Sequence, residues 1–327
     1  MKYRKLGITE LDISEIGVGL WPLSNTFIGA DSDRNPLLIL PQALDLGINY
    51  FDTSSTYQNG QGEELIAKIL GRTRSRSILG TKFIPPGYGS APDSLTHDFN
   101  QHSYIASIKY ECEQSLRRLN SDYIDLYQIQ NPAFQMIKND ELFEALELLI
   151  HEGKIRYYGA SLEPGTSLLE EGKACITCRD IPSVQLVYNI LQYNSLTELT
   201  NCNTKCATGF ITRDIHASGM LESNESYKQF NCPLNTASNS YQGQQETIND
   251  IYSLITGTDY SLSQLATLFG LANTSTATIL VDISSNAKLH ESAQVSDSQL
   301  LTGDIMGDIC RVLDNQNPDG SAIFETT

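Results

Sequence analysis

The chain has 327 residues and is 40% apolar, enough to bury a large core, and it carries no low-complexity tract of the kind that stays disordered. Its 39 acidic residues against 22 basic ones leave a net charge of −17. That balance argues against nucleic acid or an anionic membrane as partner, because both need a basic face.

No apolar run is long enough to span a bilayer, and no apolar stretch follows the basic residues 1–7 as a secretory leader would. Seven cysteines, an odd number spread over a long chain, suit reduced thiols better than a disulfide framework. A cytoplasmic protein is expected, acting on a small molecule, with its oligomeric state left open.

In chain order, residues 3–13 have a polar centre with Gly7 and read as a β-hairpin. Short β-branched or aromatic runs follow at 16–20, 48–51, 77–80, 123–129, 155–159, 183–187, 210–212 and 276–281. Amphipathic helical stretches lie between them, at 37–46, 62–70, 104–119, 141–151 and 262–271 among others. Eight strands alternating with helices predict an α/β fold: a (β/α)8 TIM barrel with an N-terminal β-hairpin. No linker divides residues 1–327, so one domain is expected, with 315–327 a frayed tail. The polar stretch 222–244 is too long for a plain connection and reads as a functional loop or as disorder. Substrate specificity is expected to come from the loops 84–100, 131–139 and 222–244.

Chemistry in such a barrel sits at the carboxyl ends of the strands. Asp52, Lys82 and Gln130 fall at the ends of the second, third and fourth strands, and Tyr57 lies in the loop after the second. A free tyrosine has a pKa of ~10, too high for easy proton exchange near neutrality. An adjacent ammonium favours the phenolate, and a carboxylate keeps that ammonium charged and in place. Such a trio can hand a proton to a carbonyl oxygen while a nicotinamide gives hydride to carbon.

The segment Gly47-Ile48-Asn49-Tyr50-Phe51-Asp52-Thr53-Ser54-Ser55-Thr56-Tyr57, followed by Gly60 to Leu65, resembles the aldo-keto reductases. Ser115-Leu116-Arg117-Arg118-Leu119-Asn120-Ser121-Asp122-Tyr123-Ile124-Asp125-Leu126-Tyr127 is similar to that family's most recognisable stretch. Gly153-Lys154-Ile155-Arg156, Gln185-Leu186-Val187-Tyr188-Asn189 and Ala217-Ser218-Gly219-Met220-Leu221 follow in order, and the resemblance spans about residues 3–293. It implies a barrel with Asp52, Tyr57 and Lys82 in the catalytic positions. It also implies cofactor contacts at Ser161, Gln185, Arg213, Ser218 and Lys288, and no metal.

Three departures from the pattern matter. Gln130-Asn131-Pro132 stands where the family has a histidine; an amide can donate a hydrogen bond but cannot titrate. The family includes members with Glu at this position that reduce activated alkenes, and potassium-channel β subunits with an amide there. Second, Leu162 replaces a common Asn, and Asp214-Ile215-His216 stands where many members have a residue followed by Pro-Leu. Third, Asp282 takes the place where many relatives carry a base for the 2′-phosphate of NADPH. An Asp repels a phosphate but accepts from a ribose hydroxyl, which favours NADH over NADPH and is equally compatible with a lost cofactor site.

Trp21 reads either as a rim aromatic or as a wall of the substrate pocket. Cys175–Cys178 and Cys202–Cys206 lie on predicted outer helices or their ends with no histidine nearby in sequence, which favours ordinary thiols over a zinc site. The leading expectation is a nicotinamide-dependent oxidoreductase acting on a small carbonyl compound or activated alkene. Two alternatives stay open: a redox-neutral lyase, isomerase or cyclase that kept the Tyr/Lys pair, and a cofactor-sensing regulatory subunit.

Overall fold

A computed structural model describes residues 1–20, 36–85, 104–205, 207–223, 238–258, 260–282, 285–298 and 303–316. Trp21, most of the loop 84–100 and residues 317–327 lie outside the described residues.

Strands β1 (Tyr3–Lys5) and β2 (Asp12–Ser14) pair antiparallel, with Arg4 opposite Ile13. This is the expected hairpin. Its Leu6, Leu11 and Ile13 pack with Ile78, Leu126, Ile211 and Ala277 inside the barrel, so the hairpin closes one end. Gly7 is obligatory at its tip. It has φ +54°, and a Cβ there would meet the backbone of Gly209 and Ala207 at 2.4–2.5 Å.

Eight parallel strands close the barrel: β3 (Ile16–Gly19), β4 (Tyr50–Asp52), β5 (Ile78–Phe83), β6 (Ile124–Gln130), β7 (Ile155–Ser161), β8 (Ser183–Val187), β9 (Gly209–Arg213) and β10 (Thr276–Asp282). They run in chain order around the ring, with β10 beside β3. Strands buried on both faces read as apolar runs, which is why sequence alone located them. Several extend further than their apolar runs: Asp52, Lys82, Gln130, Ser161, Arg213 and Asp282 are all strand residues. Backbone pairing, such as Asp282 with Gly19 and Gln130 with Ser161, carries the strands past the point where the hydrophobic signal stops.

Helices on the outside supply the rest of the core. In α5 (Asp140–His151), counting α1 (Pro36–Asp45), α2 (Gln61–Leu70), α3 (Tyr104–Leu119) and the short α4 (Phe134–Ile137) before it, Leu142, Ala145, Leu146 and Leu149 are fully buried. Asn139 caps its start by accepting from Glu141 N at 2.9 Å. Each of these leucines contributes roughly 1.5–3 kcal/mol through burial.

The stretch 222–244 differs from the expectation in part: a helix spans Ser238–Ile255 and takes up its end. The helix Gly303–Gln316 likewise runs two residues into the expected tail. No helix among the described residues is long and apolar enough to cross a membrane.

Candidate active site

At the carboxyl rim a cavity of about 970 Å³ opens among β3 to β10. Asp52, Tyr57, Lys82 and Gln130 all line it, as do Ser161, Gln185, Arg213, Ser218 and Asp282. Residues drawn from seven strands or the loops after them thus converge on one space.

Asp52 is the hub. It is 2% exposed, and its Oδ1 pairs with the equally buried Lys82 Nζ. Oδ2 accepts three more bonds, from Gln128 Nε2 at 2.9 Å, Gln185 Nε2 at 3.0 Å and the Tyr50 hydroxyl at 3.0 Å. A buried ion pair is tolerable only when its remaining lone pairs and protons are satisfied, and four donors on one carboxylate do that. Gly80 makes room for the arrangement: a Cβ there would meet the Tyr50 hydroxyl at 2.4 Å. Burial and the neighbouring Asp52 carboxylate hold the Tyr50 phenol well above its ordinary value, so Tyr50 stays a neutral donor.

Lys82 Nζ also donates to Thr53 O at 2.9 Å. Burial pulls its pKa down, while Asp52 and then Tyr57 pull it up; the outcome is a raised value and a fully charged ammonium. The same nitrogen lies 5.4 Å from the centroid of the Tyr57 ring. Tyr57 is half-buried, held by its backbone N–H to Ser54 O at 3.2 Å. Gln130, at the end of β6, lines the same cavity, with its Oε1 2.7 Å from Ser54 Oγ.

Sequence reasoning missed Tyr50, Gln128 and Ser54. A signal existed for the first two: each lies two residues before a candidate, Asp52 or Gln130, and period two puts both on the inward face.

The far end of the cavity is different in character. Arg213 Nη2 pairs with Glu163 Oε1 at 3.0 Å and donates to Leu162 O at 3.2 Å. Asp214 Oδ1 accepts the Ser218 backbone N–H at 2.5 Å, in a turn where Asp214, Ala217 and Ser218 all have positive φ. Asp282 lies near Gly19 and shares the cavity with Asp214 and Glu222. Its side chain touches the cavity's water yet is surrounded by protein. Desolvation first, then the Asp214 charge, raises it to about 6, and burial raises Asp214 as well. Lys288 pairs with Glu222 and is not among the residues lining the cavity. His216 lines it, with Nε2 3.1 Å from Ser263 Oγ, and burial lowers its pKa.

A nicotinamide nucleotide fits this site unevenly. The Ser161 hydroxyl and the Gln185 amide, 3.2 Å apart and both lining the cavity, are a suitable donor and acceptor set for a carboxamide. Gln185 also spends its N–H groups on Asp52 and on Gln128 at 3.3 Å, so it braces the hub as well. At the other end the carboxylates of Asp214 and Asp282 oppose any phosphate, while the charge of Glu222 is balanced by Lys288.

A closed parallel barrel with a polar side-chain cluster in a cavity at its carboxyl rim is the layout of a (β/α)8-barrel enzyme. The aldo/keto reductase family model matches residues 15–313, and the chain belongs to that family, as an oxidoreductase. It is 30% identical over 309 residues to "Uncharacterized oxidoreductase YqkF" of Bacillus subtilis, covering 92% of this chain and 93% of that one. The holo form of aldo-keto reductase AKR11C1 from Bacillus halodurans superposes with a TM-score of 0.75 at 28% identity, over 95% of this chain and 96% of the other. An aldo/keto reductase from Klebsiella pneumoniae, solved in complex with NADP and acetate, shares the fold at a TM-score of 0.68 and 20% identity, over 95% of each chain.

Proposed function

We propose that this chain, acting as one barrel domain, reduces a small aldehyde or ketone, or an activated alkene, with a nicotinamide nucleotide. One observation carries the reading: the buried Asp52–Lys82 pair points its ammonium at the Tyr57 ring within the cavity that Gln130 also lines. A bound nicotinamide supplies the hydride. Tyr57 gives the proton to the substrate oxygen, and the Lys82 ammonium stabilises the phenolate left behind. Asp52 holds Lys82 charged and fixed. Gln130 donates a hydrogen bond to the same oxygen as negative charge develops on it. Ser161 and Gln185 hold the carboxamide. The Asp282 carboxylate accepts from a ribose hydroxyl and repels a 2′-phosphate, which favours NADH.

The test is calorimetric titration of the purified protein with NADH and NADPH, followed by absorbance at the nicotinamide band with 4-nitrobenzaldehyde. NADH binds more tightly than NADPH, and Tyr57→Phe lowers kcat by about 10²–10⁴-fold while leaving nucleotide affinity unchanged. Binding of neither nucleotide sinks the reading.

The carboxylates at the phosphate end favour a second reading, a redox-neutral acid–base enzyme that uses the same Tyr57 and Lys82. Under it the protein binds no nucleotide, and Tyr57→Phe abolishes a turnover that needs none.

A further inference from the structure

The bases that line the cavity leave little positive charge for a ligand. Among the described residues they are Lys82, Arg213 and His216. Asp52 pairs with Lys82, and burial holds His216 below its ordinary value, so that it is neutral near pH 7. Arg213 is left, and Glu163 Oε1 takes its Nη2 at 3.0 Å. Asp214 and Asp282 line the same cavity and add negative charge.

The local sequence places Glu163 for this. Ser161 ends β7 in register with Gln130, and the Leu162 N–H donates to Gln185 O at 2.8 Å, so the chain leaves its strand beside the catalytic end. Pro164 comes next and disfavours a helical backbone at Glu163. The ion pair joins the chain after β7 to the end of β9, past the strand that carries Gln185. Arg213 is the more buried partner, 26% exposed against 53% for Glu163. Its Nη2 also donates to Leu162 O at 3.2 Å, while its Nε and Nη1 protons meet no acceptor among the described residues. Its charge reaches the catalytic end, where it disfavours the Lys82 ammonium.

We propose that Glu163 is a specificity-determining residue acting through Arg213: by neutralising this guanidinium it makes the site select uncharged carbonyl compounds over those that carry a carboxylate. This rests on the carbonyl-reduction reading and narrows its substrate class. A carboxylate entering the cavity gives up its hydration and meets a guanidinium whose charge is already balanced, with two further carboxylates in the same space. With Glu163 replaced by an amide, the same guanidinium keeps a full positive charge and unspent N–H groups, the fork that carboxylates fit. An uncharged substrate gains nothing from that change. Glu163 takes no part in proton or hydride transfer, so its influence is read in the selectivity between substrates.

Nitro and carboxylate groups have nearly the same shape and differ in charge, so 4-nitrobenzaldehyde and 4-carboxybenzaldehyde form a matched pair of probes. With NADH as hydride donor, wild type favours the nitro compound. The ratio of the two kcat/KM values falls about tenfold in Glu163→Gln, the worth of one charge-assisted hydrogen bond at a partly exposed site. In an Arg213→Met background the same substitution moves the ratio by no more than about twofold. An unchanged ratio in Glu163→Gln overturns the proposal. So does an equal fall with Arg213 removed, because Glu163 then acts by its own charge and not through Arg213. The second readout needs no turnover. By calorimetry, benzoate gains about tenfold in affinity over its uncharged counterpart benzamide in Glu163→Gln. Benzoate that binds Glu163→Gln no better than wild type overturns the proposal. Should wild type bind NADH but reduce neither aldehyde, the carbonyl-reduction reading falls, while the benzoate titration still judges Glu163.

Discussion

At the scale of single residues, Asp282 is a charge placed against its own fold. Desolvation and the neighbouring Asp214 raise its carboxyl from 3.8 to about 6, so the folded protein binds that proton more tightly than the unfolded chain does. Folding stability from this group is thus present at low pH and is lost as pH rises through the interval from about 4 to about 6. Asparagine has the same shape and no charge. The melting-temperature advantage of Asp282→Asn over wild type should grow across that interval and stay level above it. Contact with the cavity water screens the effect and keeps it small. An advantage that does not vary with pH would mean that the carboxylate is not pressed by its neighbours.

The same residues show how far sequence reaches. That Asp52, Tyr57, Lys82 and Gln130 would meet around one cavity was legible, because strand ends can be counted and the ends of parallel barrel strands share a rim. The Asp214–Ser218 contact was not. It depends on Asp214, Ala217 and Ser218 adopting positive φ, which non-glycine residues do only where their surroundings impose it. The family resemblance implied a cofactor contact at Lys288, and in the structure its ammonium pairs with Glu222. No spacing rule reveals such a partner 66 residues away.

At the scale of elements, one buried ion pair ties two helices behind the catalytic strand. Glu63 on α2 is fully buried; its Oε2 accepts from Arg118 Nε on α3 at 2.6 Å, and its Oε1 from Thr81 Oγ1 on β5 at 2.7 Å. Thr81 is the neighbour of Lys82 and points to the opposite face of β5, so the pair fixes the strand that carries the ammonium. Gly60, φ +90°, lets the Arg118 side chain pass: a Cβ there would meet its Cδ at 2.4 Å. Removing one partner leaves a stranded charge, which costs more than removing both. Arg118→Met should lower the unfolding free energy by about 3 kcal/mol in urea titrations, and Arg118→Met with Glu63→Leu by less. Equal or additive losses would show that the two side chains matter for packing and not as a pair. The motif was visible in sequence as Gly60 to Leu65 and Ser115 to Tyr127, but its purpose was not, because the two halves meet only once the helices are packed.

At the scale of the whole molecule, a net charge of −17 surrounds a cavity whose far end holds the carboxylates of Asp214 and Asp282, beside a Glu222 already paired with Lys288. Among the described residues Lys82, Arg213 and His216 are the basic side chains lining that cavity, and the first two are already paired, with Asp52 and Glu163. A dinucleotide with a negatively charged pyrophosphate must approach against this field. Added salt shortens the range of the repulsion to about 10 Å at 0.1 M. The usual salt dependence of phosphate binding, weaker affinity as counterions compete with lysines and arginines, is therefore expected to reverse. Between 20 and 300 mM KCl, the calorimetric Kd for NADH should fall on the order of threefold, as roughly 0.6 kcal/mol of repulsion is screened. Asp282→Asn should bind more tightly at low salt and show a shallower slope. A Kd that rises with salt would mean that basic groups capture the phosphates, and the carboxylates at the cavity's far end would then have to turn away from the bound nucleotide.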